Sequence, residues 1–147
     1  MQHAGIETAD ALRIAAISHH AYRVAIDKGS YKCAPPAVRG RRVWDIDELV
    51  VLAWFSALVK GGMKRNMAGG MAGELSKAIA RDPAANEFNV FMWEDQGAQQ
   101  GKLAIGREPP DEAPDAQIVL AIPLAELRLK VRAAAENFQR RAARRGK

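Results

Sequence analysis

A single cysteine, Cys33, stands in the whole chain, so no internal disulfide can form and no thiolate pair can hold a metal. That economy suits a reducing compartment, and Cys33 reads as either a buried structural residue or a free loop thiol. No apolar run approaches the ~20 residues a helix needs to cross a bilayer, and the opening Met-Gln-His-Ala-Gly-Ile-Glu lacks the apolar core of a secretory leader. The expectation is a cytoplasmic protein without membrane contact. Aromatic residues are few, at 6%, and Trp44, Trp54 and Phe55 read as core rather than as base-stacking platforms. Reactive constellations are missing as well. There is no Ser/His/Asp set, carboxylate pair, nucleotide loop or metal-ligand spacing, which points away from an enzyme and from any cofactor. His19 and His20 are neighbours, so on a helix they diverge by about 100° and cannot make a metal pair one turn apart. The repeated Gly-Gly-Met at 61–63 and 69–71 lacks the Gly-Lys-Ser/Thr ending of a phosphate loop and reads as helix punctuation.

What the chain does have is charge laid out in blocks. Its 147 residues, 48% hydrophobic and +5 overall, are enough for one small domain with an appendage. Residues 1–81 carry a net +5, residues 82–120 a net −6 and residues 121–147 a net +6. Basic ends attract a polyanion, whereas the acidic middle must face away from one or meet a basic surface.

Ser18 is a favoured helix N-cap, the residues after it lack Pro and Gly, and Gly29 marks the stop, which predicts a short helix over 18–28. Tyr22 and Ile26, one turn apart, face inward, leaving His19, His20 and Arg23 for phosphates or base edges. Upstream, Thr8 is placed to cap another short helix containing Leu12, Ile14 and Ala15. Two helices joined this tightly predict a helix-turn-helix with the second as reader. Between Lys32 and Val43, Pro35, Pro36 and Gly40 stand among four basic residues, predicting a loop or small hairpin that forms a basic wing. Asp45 or Asp47 then caps a longer helix with a stripe of Leu49, Leu52, Ala53, Ser56, Ala57 and Lys60, ending at Gly61-Gly62. A further helix is expected over about 68–80.

This order of parts resembles the MerR-type winged helix-turn-helix family of bacterial transcription regulators, over roughly residues 5–80. Ser18, Arg23 and Lys28-Gly29 match the family's capped recognition helix. Gly40-Arg41-Arg42-Val43-Trp44 is similar to its wing. Asp45 to Leu49 and Gly62-Met63 are similar to the family's Asp-x-x-x-Leu stretch and its Gly-Met-bearing turn. Val24 and Ala25 stand where the family carries paired aromatics. The resemblance implies that Arg23, Arg41 and Arg42 contact the backbone of double-stranded DNA, that His19, His20 and Tyr22 lie near the groove, and that a homodimer binds a palindromic site. Ser18, Lys28 and Arg39 join the candidate contacts. Lys64 and Arg65 join them, read either as clamps, since a helix N-terminus with basic side chains favours phosphate, or as a merely solvated turn.

Past Asp82-Pro83 the pattern changes, suggesting a boundary between a DNA-binding part at 5–82 and a second part at 83–147. Phe88–Trp93 and Lys102–Gly106 read as a hairpin around a turn at Gly97–Gly101, and Gln117–Ile122 as a third strand. The intervening loop is acidic and rich in proline. Pro123 opens a last helix whose Leu124, Leu127, Val131 and Phe138 make an apolar seam. That seam suits either dimerisation or cover for the chain's own three-stranded sheet. The tail arginines 140, 141, 144 and 145 with Lys147 read as a nonspecific DNA arm or a solvated helix end. The fold expected is α+β, an N-terminal winged helix-turn-helix followed by a small β-rich segment and a C-terminal amphipathic helix. The function expected is sequence-specific transcription regulation. The alternatives are an excisionase-like DNA-bending factor and a protein-interaction adaptor acting through residues 88–147.

Overall fold

A computed structural model of the chain describes residues 5–95, 97 and 100–145, and they are α+β: five helices with two small antiparallel sheets. The expected turn at Gly97–Gly101, the start of the chain and Lys147 lie wholly or partly outside the described residues. A two-residue strand β1 (Ile6–Glu7) leads into α1 (Thr8–Ile14) and α2 (His19–Asp27). Strand β2 (Val43–Trp44) returns to pair with β1, setting Ile6 opposite Trp44. Next come α3 (Ile46–Lys60) and α4 (Arg65–Arg81), then β3 (Phe88–Asp95), β4 (Gln100–Gly106), β5 (Gln117–Ile122) and α5 (Leu124–Arg145).

Local chemistry explains most of the boundaries. The Ser18 hydroxyl accepts the Ala21 amide at 3.1 Å, and Gly29 takes the left-handed conformation at φ +71° as α2 ends. Asp45 and Glu48 form a reciprocal capping box, with the Glu48 amide 2.8 Å from the Asp45 carboxylate and the Asp45 amide 2.9 Å from that of Glu48. Thr8, by contrast, caps nothing. Glu7 occupies the N-cap of α1, and the Thr8 hydroxyl instead accepts the Trp44 indole N–H at 3.1 Å. The α1–α2 turn passes through Ala16 at φ +57°. That uncommon backbone is held from α3, where the Ser56 hydroxyl donates to the Ala16 carbonyl at 3.1 Å and Lys60 donates to the same oxygen.

The α3 stripe expected from spacing is replaced by burial on nearly every side. Leu49, Val50, Val51, Leu52, Trp54, Phe55 and Ser56 are all buried, while Ala57 and Lys60 are exposed. A helix buried all round is the centre of a small domain rather than its surface. Helix α4 begins at Arg65, three residues earlier than expected, and packs against α3 and β4. The sheet runs β4-β3-β5 and sends Phe88, Val90, Ile105 and Ile122 into the core.

Helix α5 corrects the sheet-cover reading of its seam and removes two residues from the dimer reading. It packs chiefly on α3 and α1 rather than on the sheet. Leu124 and Val131 are buried within their own chain, at 0% and 6% exposed, so these two are unavailable as dimer contacts, while Leu127 and Phe138 are half-buried. Arg128 fastens the helix, donating to the Asp47 carboxylate at 2.8 Å and to the Ala85 carbonyl at 3.3 Å. One hydrophobic core therefore runs from Ile6 to Ala135, across the compositional change at Asp82-Pro83.

Tyr31 lies 2% exposed with its ring 4.8 Å from that of Phe55, and its hydroxyl finds no hydrogen-bond partner among the described residues. Burial pushes its ionisation well above the ordinary value near 10. The folded chain thus holds the neutral phenol more tightly than the unfolded chain does. The associated stability is fully present below about pH 10 and is lost as pH rises beyond it. A Tyr31→Phe protein is expected to gain about 1 kcal/mol at neutral pH, because the unsatisfied hydroxyl is removed, and to lose less stability under alkali. Urea unfolding at neutral and alkaline pH checks both, and a destabilised variant would show that the hydroxyl is satisfied.

Candidate nucleic-acid interface

Helix α2 presents two different faces because of where its few apolar residues fall. Ala25 is buried and Tyr22 and Ile26 are half-buried, which turns His19, His20, Arg23, Asp27 and Lys28 to solvent. Tyr22 sets its edge against Trp44, ring centres 6.0 Å apart at 62°. Burial raises its phenol, opposed by the Arg42 charge. Through Trp44 the helix shares an anchor with the segment just after the basic loop.

That loop ends in a tight hairpin. Val38 and Arg41 exchange backbone hydrogen bonds at 2.7 and 3.0 Å, and the two residues between them, Arg39 at φ +53° and Gly40 at φ +77°, both take the left-handed conformation. Two positive φ values in a two-residue loop are those of a type I′ turn, whose twist matches a hairpin. Arg39 therefore sits at the tip, exposed.

Between α2 and this hairpin lies an open groove of about 510 Å³, and His19, Tyr22 and Arg23 on one wall face Gly40, Arg41 and Arg42 on the other. Arg41 approaches Glu7 at 3.5 Å, but both side chains are largely solvated, at 80% and 65% exposed. Such a pair is weak and exchangeable for a phosphate. Arg42 is partly a structural residue. It is half-buried and donates to the Pro35 carbonyl, tying the loop's proline segment to the hairpin. Glu7 and Asp27 also line the groove, so it offers carboxylate acceptors beside its cations. A groove of this kind can grip phosphates and read base edges.

The remaining sites divide by location. Ser18 and Arg65 line a second cleft of about 390 Å³ at the head of α2, together with Arg13 and Lys60. Lys64, at the N-cap of α4, is exposed nearby in sequence, and its side chain makes no capping bond. His20, Lys28 and Arg39 are exposed outside the α2–hairpin groove. Sequence reasoning does not single out Arg13 or Lys60. The usable signal for Arg13 is a basic residue in the last turn of the helix just before a capped one, whereas Lys60 is absorbed into a supposed apolar stripe.

Cys33 is half-buried beside α4, where burial raises its thiol against the opposing effects of Ser76 and Lys77. Among the described residues no cluster of His, Cys, Asp and Glu is placed to hold a metal ion, and no helix is long and apolar enough to cross a membrane. No protein-family model matches the chain, and no curated protein matches it.

Proposed function

We propose that this chain is a cytoplasmic, sequence-specific DNA-binding transcription regulator built around a winged helix-turn-helix of the MerR type. In this reading α1 and α2 are the helix-turn-helix, the hairpin at 38–41 is the wing, and a homodimer binds a palindromic site. One observation carries it. Arg23 on the outer face of α2 and Arg41 and Arg42 of the hairpin line the same groove, although the end of α2 and the whole proline-bearing loop separate them in sequence. Helix and wing would then enter adjacent parts of one duplex, the helix reading the major groove and the wing holding phosphates. Arg13 and Arg65 would grip the backbone at the head of α2, where its free amides favour an anion, with Lys64 next to Arg65 in sequence as a further cation.

The test begins by selecting bound fragments from genomic DNA, which yields the site and its symmetry. Arg23→Ala is expected to cost ~1–3 kcal/mol of affinity for that site, and Arg41→Ala to weaken binding across sequences and lower the salt dependence by about one unit. Arg107→Ala, whose side chain pairs with Asp82 at 3.3 Å, serves as the control and is expected to bind as the parent does. Unchanged affinity in a folded Arg23→Ala, Arg41→Ala double variant would remove the basis of the proposal.

A further inference from the structure

Strand β5 is an edge strand, since the sheet runs β4-β3-β5. Its residues Ile118, Val119 and Leu120 are 57%, 48% and 39% exposed, three consecutive large apolar side chains open to water. Strands alternate their faces, so consecutive exposure means that both faces of this strand are left bare. The register with β3 shows the cause: Val90 opposes Leu120 and Phe91 opposes Ile118, leaving Val119 as an extra, bulged residue. Edge strands are ordinarily guarded by a charge, a proline or a bulge. Within Gln117–Ile122 there is no charge and no proline, and the bulge at Val119 is the one guard. The opposite edge is guarded, because β4 carries Lys102, paired with Asp95 at 3.0 Å, and lies against α4.

The charges flanking β5 differ in sign. Before it come Arg107, Glu108, Asp111, Glu112 and Asp115, net acidic, and after it α5 brings Glu126, Lys130 and Arg132, net basic, all exposed. A two-fold axis through an antiparallel pair of such strands sets the start of each beside the end of the other. Such a pairing carries the acidic approach of one copy toward the start of the net-basic α5 of its partner, twice over. We infer that β5 is the homodimer interface, joining two copies of this chain edge to edge through Ile118, Val119 and Leu120 with these charges matched across the axis. The bulge keeps the ladder short and the guarded β4 edge stops growth, so the assembly closes at two. For its role at a palindrome the inference rests on the DNA-binding reading above, but the association itself is measured without DNA.

Sedimentation of the full chain over a concentration series is the experiment. The parent is expected to form a reversible dimer that weakens with salt, and Val119→Lys to weaken it at least about tenfold by placing like charges across the axis, with circular dichroism and melting temperature unchanged. Because a lysine there could also disturb β5, amide exchange on the parent gives a second readout: slower exchange of β5 amides as concentration rises supports the interface, and no change overturns it. Asp111→Lys with Asp115→Lys is expected to weaken the dimer, and adding Lys130→Asp with Arg132→Asp to recover it; failure to recover overturns the matched charges. A parent that stays monomeric, one that aggregates without limit, or a Val119→Lys protein that dimerises like the parent overturns the inference. Site binding lost in Arg23→Ala while the dimer persists concerns the α2 groove, so the two readings fail separately.

Discussion

A Gly69→Ala protein is expected to lose about 3 kcal/mol or more of stability, the upper end of what one forced methyl costs in a packed interior. A Cβ at this position would stand 1.6 Å from the Ser30 carbonyl oxygen and 2.8 Å from its carbon. Neither side can retreat. Ser30 is held by its amide bond to the Ala25 carbonyl at 2.9 Å and by its hydroxyl bond to Asn66 at 2.8 Å. Helix α4 is fixed by Ala68, Ala72 and Leu75, each 0% exposed. The same helix supplies its own control, because added Cβ atoms at Gly70 and Gly73 would meet nothing within 4 Å. Alanine at Gly70 or Gly73 is expected to stabilise by about 0.5–1 kcal/mol, the usual cost of glycine inside a helix. Chemical denaturation of the three variants checks the opposite signs, and a Gly69→Ala protein as stable as the parent would show that the Ser30 loop does not sit against α4.

Trp44→Ala is expected to cost about 3–5 kcal/mol and, on the DNA-binding proposal, to lower DNA affinity by more than its stability loss explains. Trp44 is 1% exposed. Its backbone pairs with Ile6, its indole N–H reaches Thr8 and its ring meets Tyr22, so the indole joins β1, α1, α2 and the strand next to the hairpin. Without it the two walls of the groove lose their common anchor. Trp44→Phe keeps most of the packing and removes the bond to Thr8, with an expected cost of about 1 kcal/mol. Thermal unfolding and DNA titration of both variants separate the two effects, and a Trp44→Ala cost below about 1 kcal/mol would contradict the buried position.

Features written in a few neighbouring residues are legible from sequence. The Ser18 cap, the Gly29 stop and the three strands all arise from local hydrogen bonding or alternation, while the cap of α3 is narrowed in sequence only to Asp45 or Asp47. The groove is legible in part, since the basic loop and the exposed face of α2 are recognisable, but their facing each other depends on Trp44 packing against Tyr22. The features that escape are set by contacts distant in sequence. Thr8 reads as a cap because its true partner, Trp44, lies 36 residues away. The stripe assigned to α3 fails because α1, α4 and α5 all pack on that helix, and periodicity cannot signal burial from several directions. Arg128 resembles any other cation of a solvated helix until Asp47 and Ala85 are placed beside it. Gly69 looks like punctuation because nothing in its neighbours announces that Ser30 crosses there.

Helix α2 is seated by little side chain: Ala25 alone is buried, and the rest of the attachment is the backbone turn through Gly29 and Ser30 and the half-buried Tyr22, Val24 and Ile26. Positions 19, 20, 23 and 27 carry no folding burden. Mutational drift can therefore rewrite those four residues at little thermodynamic risk, so the exposed face of α2 is free to change its chemistry on an unchanged scaffold.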